Sequence, residues 1–511
     1  MKLSEESLNF AKTHIENYYD SDFFYKQFEF DCIWSNWDEV KSHMLDLEIS
    51  SFPCSHPYIL TVPKAEVGFR VVHQLDPINS LIYTALVHMI AEKVESSRSP
   101  QKNKVACSYR INIGERGNFF VQDNGWTDYT SRCIEYAKKY KYTLMTDITD
   151  FYNHIYIHRL QNSIERCDSN FGGISREIQR YLLQLNNKIS RGIPVGPAAS
   201  IVLAEATLID VDEYIYNKNK NYTRYVDDFR IFSDDKDSLE LLLQDLTRYV
   251  YTSHRFNLSS HKTKIISSED FLKNYIHSPL REEKDAMFKE LKRYFISTYH
   301  GPQPIQDIGQ LPDKYQFEVK ARILNKQIVK ACEMEPIALK LIESIIRKAR
   351  SIRARSILNP LIDNFDELSP VMRDVILYLD VITGKSVVDN YHEDFIDIIQ
   401  NSPSMKYPYV QYWMAYYFLN NKQYFNYSPI REFIQNSDDN RIKAIYAKVM
   451  NQESWVRDNK DRLYSCSPQE KRAIIYAATA LSSGERKFWM DSIISNSDII
   501  DKSIALYVLR N

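Results

Sequence analysis

Residues Tyr222–Asp234 read YTRYVDDFRIFSD. Two adjacent carboxylates, Asp227 and Asp228, sit between runs in which apolar residues alternate with polar ones. Tyr225 and Val226 lead in, and Phe229, Ile231 and Phe232 lead out. A period of two, rich in aromatic and β-branched residues, predicts strands on both sides of the acidic pair. The pair itself then falls at a hairpin tip, where its carboxylates project from a rigid support. Such a site suits a divalent cation, because Mg²⁺ takes hard oxygen ligands and keeps positions for substrate phosphates. A polar turn joining two strands would read the same way in isolation. The rest of the chain decides between the two.

A second acidic stretch lies upstream. Tyr142–Ile148, YTLMTDI, is a short apolar run that predicts a strand ending at Asp147, and DITDFYNHIYIH follows from there. A carboxylate at a strand end, before a helix, is where α/β sheets place ligand sites. His154 and His158 are four apart, but no third ligand has matching spacing and imidazole is a poor Mg²⁺ ligand. Between the acidic stretches lies RGIPVGPAAS, residues 191–200. Gly192, Pro194, Gly196 and Pro197 make a constrained loop, and Ala198-Ala199-Ser200 opens a helix whose small residues let something flat approach the backbone. Upstream again, YILTVPKAEVGFRVV (residues 58–72) predicts a hairpin presenting Lys64 and Arg70. These are either solvated charges or a grip on a triphosphate. A helix is expected from Asp76-Pro77, with proline in its first turn. The polar and basic stretch from Glu95 to Gly117, around Ser108-Tyr109-Arg110, reads as a solvated loop or a nucleotide contact.

Taken in order, the features are a strand-end Asp147, a Gly/Pro loop opening a small-residue helix, and a hairpin Asp-Asp. Two-metal nucleotidyl transfer needs carboxylates that bridge cations about 3.5–4 Å apart. Carboxylates from neighbouring strand ends of one sheet meet that need, and cations such as Lys64 and Arg70 would stabilise phosphate charge.

Composition sets the frame. The chain has 511 residues, a formal net charge of −2 and seven cysteines with no CxxC pair. No global basic field draws in nucleic acid, so any such binding is local. Neither a zinc site nor a disulfide framework is expected, and a reducing cytoplasm is the simplest compartment. No apolar run approaches the ~20 residues that span a bilayer, and the N-terminus lacks a signal-peptide core. Tyrosine is abundant, at 36 residues, and tyrosines both pack cores and stack on bases. Beyond residue 280 the texture becomes helical and poor in glycine. Ser369-Pro370, Ser428-Pro429 and Ser467-Pro468 each read as an N-cap followed by proline, and Ser467 to Glu470 as a capping box. Helix pairs with a period of roughly 35–40 residues resemble an α-solenoid of the HEAT type. Lys340 to Arg355 is locally basic, either a solvated helix face or a groove for single-stranded nucleic acid. The expected division is 1–280 and 281–511, with a helix near Glu282–Ile296 and a Pro/Gly-rich linker after it.

The motifs resemble the reverse transcriptase family. Tyr225-Val226-Asp227-Asp228 is similar to its YxDD signature, Asp147–Tyr152 to its first catalytic motif and Arg191–Ser200 to its GxPxG loop. Lys262 falls in the downstream lysine motif, and Pro63-Lys64 with Arg70 is similar to the fingers hairpin. The resemblance covers about residues 55–270. GIPVGPAAS, Ser108-Tyr109-Arg110 and IYIH are further similar to the abortive-infection (Abi) group of bacterial antiphage polymerases, which includes AbiK. The resemblance implies an α+β fold, with fingers and palm followed by an all-α HEAT-like domain. It implies Mg²⁺ or Mn²⁺ held by Asp147, Asp227 and Asp228, with deoxynucleoside triphosphates contacted by Lys64, Arg70, Tyr152, Gly192, Pro194, Gly196 and Lys262. Tyr152 matches the ring that blocks a 2′-hydroxyl. The resemblance also implies untemplated DNA synthesis primed on a protein hydroxyl, a covalently attached single-stranded product, homo-oligomers and phage defence. Tyr18, Tyr19 and Tyr25 are priming candidates only as tyrosines near the N-terminus. Two other readings stand beside this one: an RNA-templated reverse transcriptase, and a non-catalytic sensor whose solenoid binds a phage protein.

Overall fold

In the computed structural model the described residues are all of 1–511 except 20, 66, 121–124, 278–281, 288 and 290–312, and the side chains of 313–315. The linker expected around residue 300 lies outside the described residues. So does the far end of the helix expected near 282–296, whose residues 282–287 are helical.

The alternating runs form the expected strands. β1 (Tyr58–Pro63) and β2 (Phe69–Gln74) make a two-stranded hairpin. β3 (Tyr142–Asp147), β4 (Tyr222–Tyr225), β5 (Asp228–Ser233) and β6 (Lys264–Ser267) make a four-stranded sheet in the order β4-β5-β3-β6. Every pairing in that sheet is antiparallel. β3 is central and its residues from Thr143 onward are buried, so it reads as a nearly continuous apolar run. Two long helices back the sheet's unit, Pro77–Ser97 and Ala198–Lys218, packed against each other. Both are apolar almost all round, as helices buried on every side must be. Asp76 caps the first through its side chain, which accepts from the Ile78 N–H at 3.3 Å, and Pro77 sits at the first helical position. Tyr83 of the first helix meets Ser200 of the second through a 2.8 Å hydroxyl–hydroxyl bond.

Contacts divide the chain into two compact units. One comprises 1–22, 41–59 and 72–281; the other comprises 23–40, 60–71 and 282–511. The outer part of the β1–β2 hairpin and the helix Phe28–Ser35 therefore group with the C-terminal helices rather than with the sheet. Within that second unit Phe69 packs edge-on to Tyr407, and Phe28 stacks on Tyr476 at 4.2 Å.

The second unit's C-terminal region is helical. Helices beginning at Leu339, Met372, Pro408, Asn440, Pro468 and Ile499 each pack on the next in that series, as stacked layers of a solenoid do. Their spacing is near or below the 35–40 residues expected. Of the three Ser-Pro caps, only Ser467 acts as one, its hydroxyl accepting from the Glu470 N–H at 3.2 Å. Ser369 and Ser428 instead fall one residue inside their helices, and the backbones of Leu368 and Tyr427 take the capping position. In the basic stretch, Arg347 is spent on Asp374 through two bonds of 2.9 and 3.0 Å. Among the described residues no helix is long and apolar enough to cross a membrane.

Candidate active site

The site is built at one end of the four-stranded sheet. In the β3–β5 ladder Asp147 stands directly opposite Asp228, and in the β4–β5 ladder Asp228 stands opposite Tyr225. Residues paired across an antiparallel ladder share a face, so Tyr225, Asp228 and Asp147 form a row. Asp227 occupies the turn beside them. Like charges placed opposite one another destabilise a sheet, and the site offsets this unevenly. Lys262 donates to Asp147 Oδ2 at 2.9 Å. Arg230, two residues along β5, grips both oxygens of Asp228, and Tyr129 approaches the same carboxylate at 3.5 Å.

Asp227 is the least compensated. Burial first, and then the neighbouring Asp147, push its carboxyl up to about 7. Asp147 is also raised, by burial, although Lys262 opposes the shift. Carboxylates in that condition call for a cation. Among the described residues no set of three or more His, Cys, Asp or Glu side chains is gathered as a metal site. The three expected carboxylates differ in how firmly they are held by neighbouring cations. Asp228 is committed to Arg230, whose side chain is only 13% exposed, whereas the Lys262 side chain on Asp147 is 67% exposed and readily displaced. Asp147 and Asp227 therefore fit an oxygen-loving cation that completes its shell with water and substrate oxygens. His154 and His158 fall on separate helices, Phe151–His154 and Ile157–Cys167, and bond to different partners, the Asp150 carbonyl and Gln179.

The turn carrying Asp227 is held from beneath. Val226 lies at φ +55°, a conformation uncommon for a β-branched residue. Its N–H donates to Ser108 Oγ at 2.8 Å, and its carbonyl accepts from Arg224 at 3.0 Å. Arg224 is fully buried and bonds both oxygens of Asp212 at 2.8 Å and both of Glu205, at 2.8 and 3.2 Å. Arg98 also reaches Glu205, and Arg98 and Arg110 both pair with Glu95. Three guanidiniums thus face three carboxylates. The stretch around Ser108-Tyr109-Arg110, expected as a solvated loop or a nucleotide contact, buries Ser108 and Arg110 and leaves Tyr109 partly exposed. Its charges find partners on the two long helices and β4, which local sequence does not show.

The Gly/Pro loop lies in the same unit. His73 and Val195 exchange two bonds, the His73 N–H to the Val195 carbonyl at 2.9 Å and the Val195 N–H to His73 Nδ1 at 3.1 Å. The Ile193 N–H donates to the Tyr152 carbonyl at 3.1 Å. Pro194 is buried. The half-buried Tyr152 phenol is pushed well up, by burial and then by neighbours that include Tyr109, Glu205 and Asp227, so it stays neutral. Gly192 and Gly196 have φ of +89° and +135°. A Cβ on Gly196 would come within 2.9 Å of Ser21 Oγ and 3.3 Å of the His73 carbonyl. Gly196→Ala is expected to cost about 1–3 kcal/mol of stability. Gly173→Ala, in open space on a helix, is expected to be neutral or slightly stabilising. Paired thermal melts check this; equal midpoints for the two variants would show that the Gly196 geometry is not needed.

Lys64 and Arg70 are exposed on the outer part of the hairpin, in the second unit, with Arg70 over the Phe23 ring at 6.0 Å. Tyr25, also in that unit, stacks between Tyr412 and Tyr416 at 4.3 and 4.6 Å. In the first unit, the Tyr19 hydroxyl accepts from Gln74 at 2.9 Å and Tyr18 is 49% exposed. Sequence reading missed Arg230, although its period-two offset from Asp228 was visible. It also missed Arg224, Glu205 and Ser108 as supports, for which no local pattern exists.

Residues 62–294 match the reverse transcriptase (RNA-dependent DNA polymerase) family model. This stretch is a reverse transcriptase domain. The chain is accordingly a nucleotidyltransferase of the reverse transcriptase type, and polymerases of that family generally use divalent metal ions. A search of curated proteins finds no sequence match. Solved structures similar to this chain include telomerase from Candida albicans in complex with the TWJ fragment of telomeric RNA. That match has 10% identity and a TM-score of 0.33, covering 81% of this chain and 72% of that one. Apo telomerase from Candida tropicalis matches at 11% identity and a TM-score of 0.35, covering 77% and 75% respectively.

Proposed function

We propose that this reverse transcriptase domain makes DNA without a template, priming on a hydroxyl of the protein itself, and serves in abortive-infection defence. The observation that carries the chemistry is the gathering of Asp147, opposite Asp228 in the ladder, with Asp227 in the adjoining turn at one end of the sheet. In the reaction a hydroxyl oxygen bonds to the α-phosphorus of a deoxynucleoside triphosphate. The bond from that phosphorus to the bridging oxygen breaks, pyrophosphate leaves, and the hydroxyl proton passes to water. Asp147 and Asp227 would hold Mg²⁺ or Mn²⁺, which when bound supplies polarisation of the phosphate and activation of the hydroxyl. Tyr152, with the Gly192–Gly196 loop bonded to its backbone, shapes the nucleotide floor and selects deoxyribose. In this reading Lys262, released from Asp147, meets phosphate charge, and Lys64 and Arg70 are triphosphate contacts. The division into a polymerase domain of 1–280 and a HEAT-like domain of 281–511, a homo-oligomer and a cytoplasmic location belong to the same proposal.

The untemplated reading draws its support from the motifs shared with the Abi group and from the solenoid that follows the polymerase domain. The family description favours a second reading, RNA-templated synthesis. Purified protein incubated with Mg²⁺ and labelled deoxynucleotides, without template or primer, separates them. Label that migrates with the protein on a denaturing gel, and is released as DNA by protease, is the expected result. Product only after an RNA template and primer are added would establish the templated enzyme. No product in either case would leave a non-catalytic binding role.

A further inference from the structure

An aromatic surface adjoins the carboxylates and is not used by the chemistry above. Tyr225 lies across the ladder from Asp228. Trp126 meets the Tyr225 ring edge-on at 5.2 Å and the Tyr129 ring at 5.5 Å. Tyr109 approaches Tyr225 at 6.4 Å and Phe120 at 5.4 Å. The rings come from four places far apart in sequence: the 108–110 stretch, the Ile111↔Phe120 bridge, the helix Gly125–Lys139 and β4. Tyr129 is buried and backs the others, yet Trp126 remains 48% exposed and Tyr109 37%. Large aromatics that converge and stay exposed beside a reacting centre give up burial that folding would favour.

The backbone reinforces the placement. Tyr109 is held at φ +47°. Its carbonyl and that of Ser108 each accept from Arg98 at 2.8 Å. The same arginine belongs to the buried network under Val226. The Tyr109 backbone and the Asp227 turn therefore share one buried support, and strain of this kind gathers where a ligand is clamped.

We infer that Tyr109, Trp126 and Tyr225 form a stacking shelf for unpaired nucleobases at the end of a single DNA strand, delivering that end to Asp147 and Asp227. This rests on the polymerase reading and names the partner of the same site. The chemistry of the shelf fits bases rather than phosphates. Its exposed residues are aromatic rather than cationic, and every base offers a π-face, so stacking holds a strand without reading its sequence. A polymerase that dispenses with a template loses the base pair that would otherwise position the primer end, and a stacking shelf supplies that positioning.

Fluorescence anisotropy with the full-length protein, without metal or nucleotides, tests the inference apart from catalysis. The probes are a labelled oligothymidylate of ~12 nucleotides and an abasic strand of the same length and charge. Oligothymidylate is expected to bind wild type at least about tenfold more tightly than the abasic strand. Trp126→Ala and Tyr109→Ala should each weaken it by about 5- to 150-fold, the range of one lost base stack. Trp126→Phe should retain most of the affinity, which separates stacking from a folding defect, as will matched melting curves. Equal binding of the two strands would overturn the shelf in favour of a phosphate contact. Binding of neither strand would overturn it in favour of a protein ligand, and unchanged binding by a folded Trp126→Ala variant would also overturn it. Absence of nucleotide incorporation by wild type would instead count against the polymerase reading, whatever the binding shows.

Discussion

Asp227→Asn is expected to abolish nucleotide incorporation, by roughly a thousandfold or more, while making the metal-free protein more stable at pH 8. The two effects share one cause. Burial and Asp147 hold the Asp227 carboxyl at about 7, against ~3.9 in an unfolded chain. Between those values the folded state binds the proton more tightly than the unfolded state does. Stability therefore falls as pH rises from about 4 to about 7, and the full penalty is present above pH 7. Asparagine keeps the shape and removes the charge. The relief is roughly 2–4 kcal/mol at pH 8, or a midpoint about 4–16 °C higher, and it should shrink towards nothing near pH 4. Thermal melts of both proteins at pH 5 and pH 8, in chelator, check the sign. An unchanged midpoint difference between the two pH values would show that Asp227 carries no such strain. Retained incorporation would remove the carboxylate account of the site. A cation bound at Asp147 and Asp227 competes with this proton, so its affinity should tighten as pH rises towards 7.

The second large effect is structural. Arg224 is fully buried, and its removal strips Asp212 of the guanidinium that pairs with it, while Glu205 keeps Arg98 at 2.9 Å. Losing one partner of a buried ion pair costs about 3–5 kcal/mol, because the other charge stays buried and unpaired. Arg224→Met should therefore lower the midpoint by roughly 6–20 °C and free the Val226 carbonyl that Arg224 holds at 3.0 Å. Combining it with Asp212→Asn removes the stranded charge and should recover part of the loss. Breaking the exposed pair Lys236–Glu240, 3.4 Å apart and half exposed on both sides, should cost less than about 1 kcal/mol. Melting curves on the single and double variants decide it. A loss for Arg224→Met no larger than for the exposed pair would mean that the buried network is not what supports the turn.

Much of the site was legible in sequence because its parts are local. A period of two around Asp227-Asp228 marks β4 and β5, an apolar run ending in acid marks β3, and a Gly/Pro loop before small residues marks the helix start at Ala198. Strand alternation and turn chemistry act over a few residues, so composition and spacing determined the strands, the acidic hairpin tip and the change to a helical C-terminal region. Only the tertiary structure decided how the carboxylates are compensated. Asp147 and Lys262 are 115 residues apart, and Val226 and Ser108 are 118 apart. Such contacts leave no periodic trace, and a charged residue in a loop reads as solvated until the chain that buries it is in place. The same reason hid the grouping of residues 60–71 with the helical unit and the meeting of Tyr109, Trp126 and Tyr225. Local forces chose the elements and the reacting groups. Burial by distant parts of the chain set which carboxylate is short of a cation and which rings stand beside it.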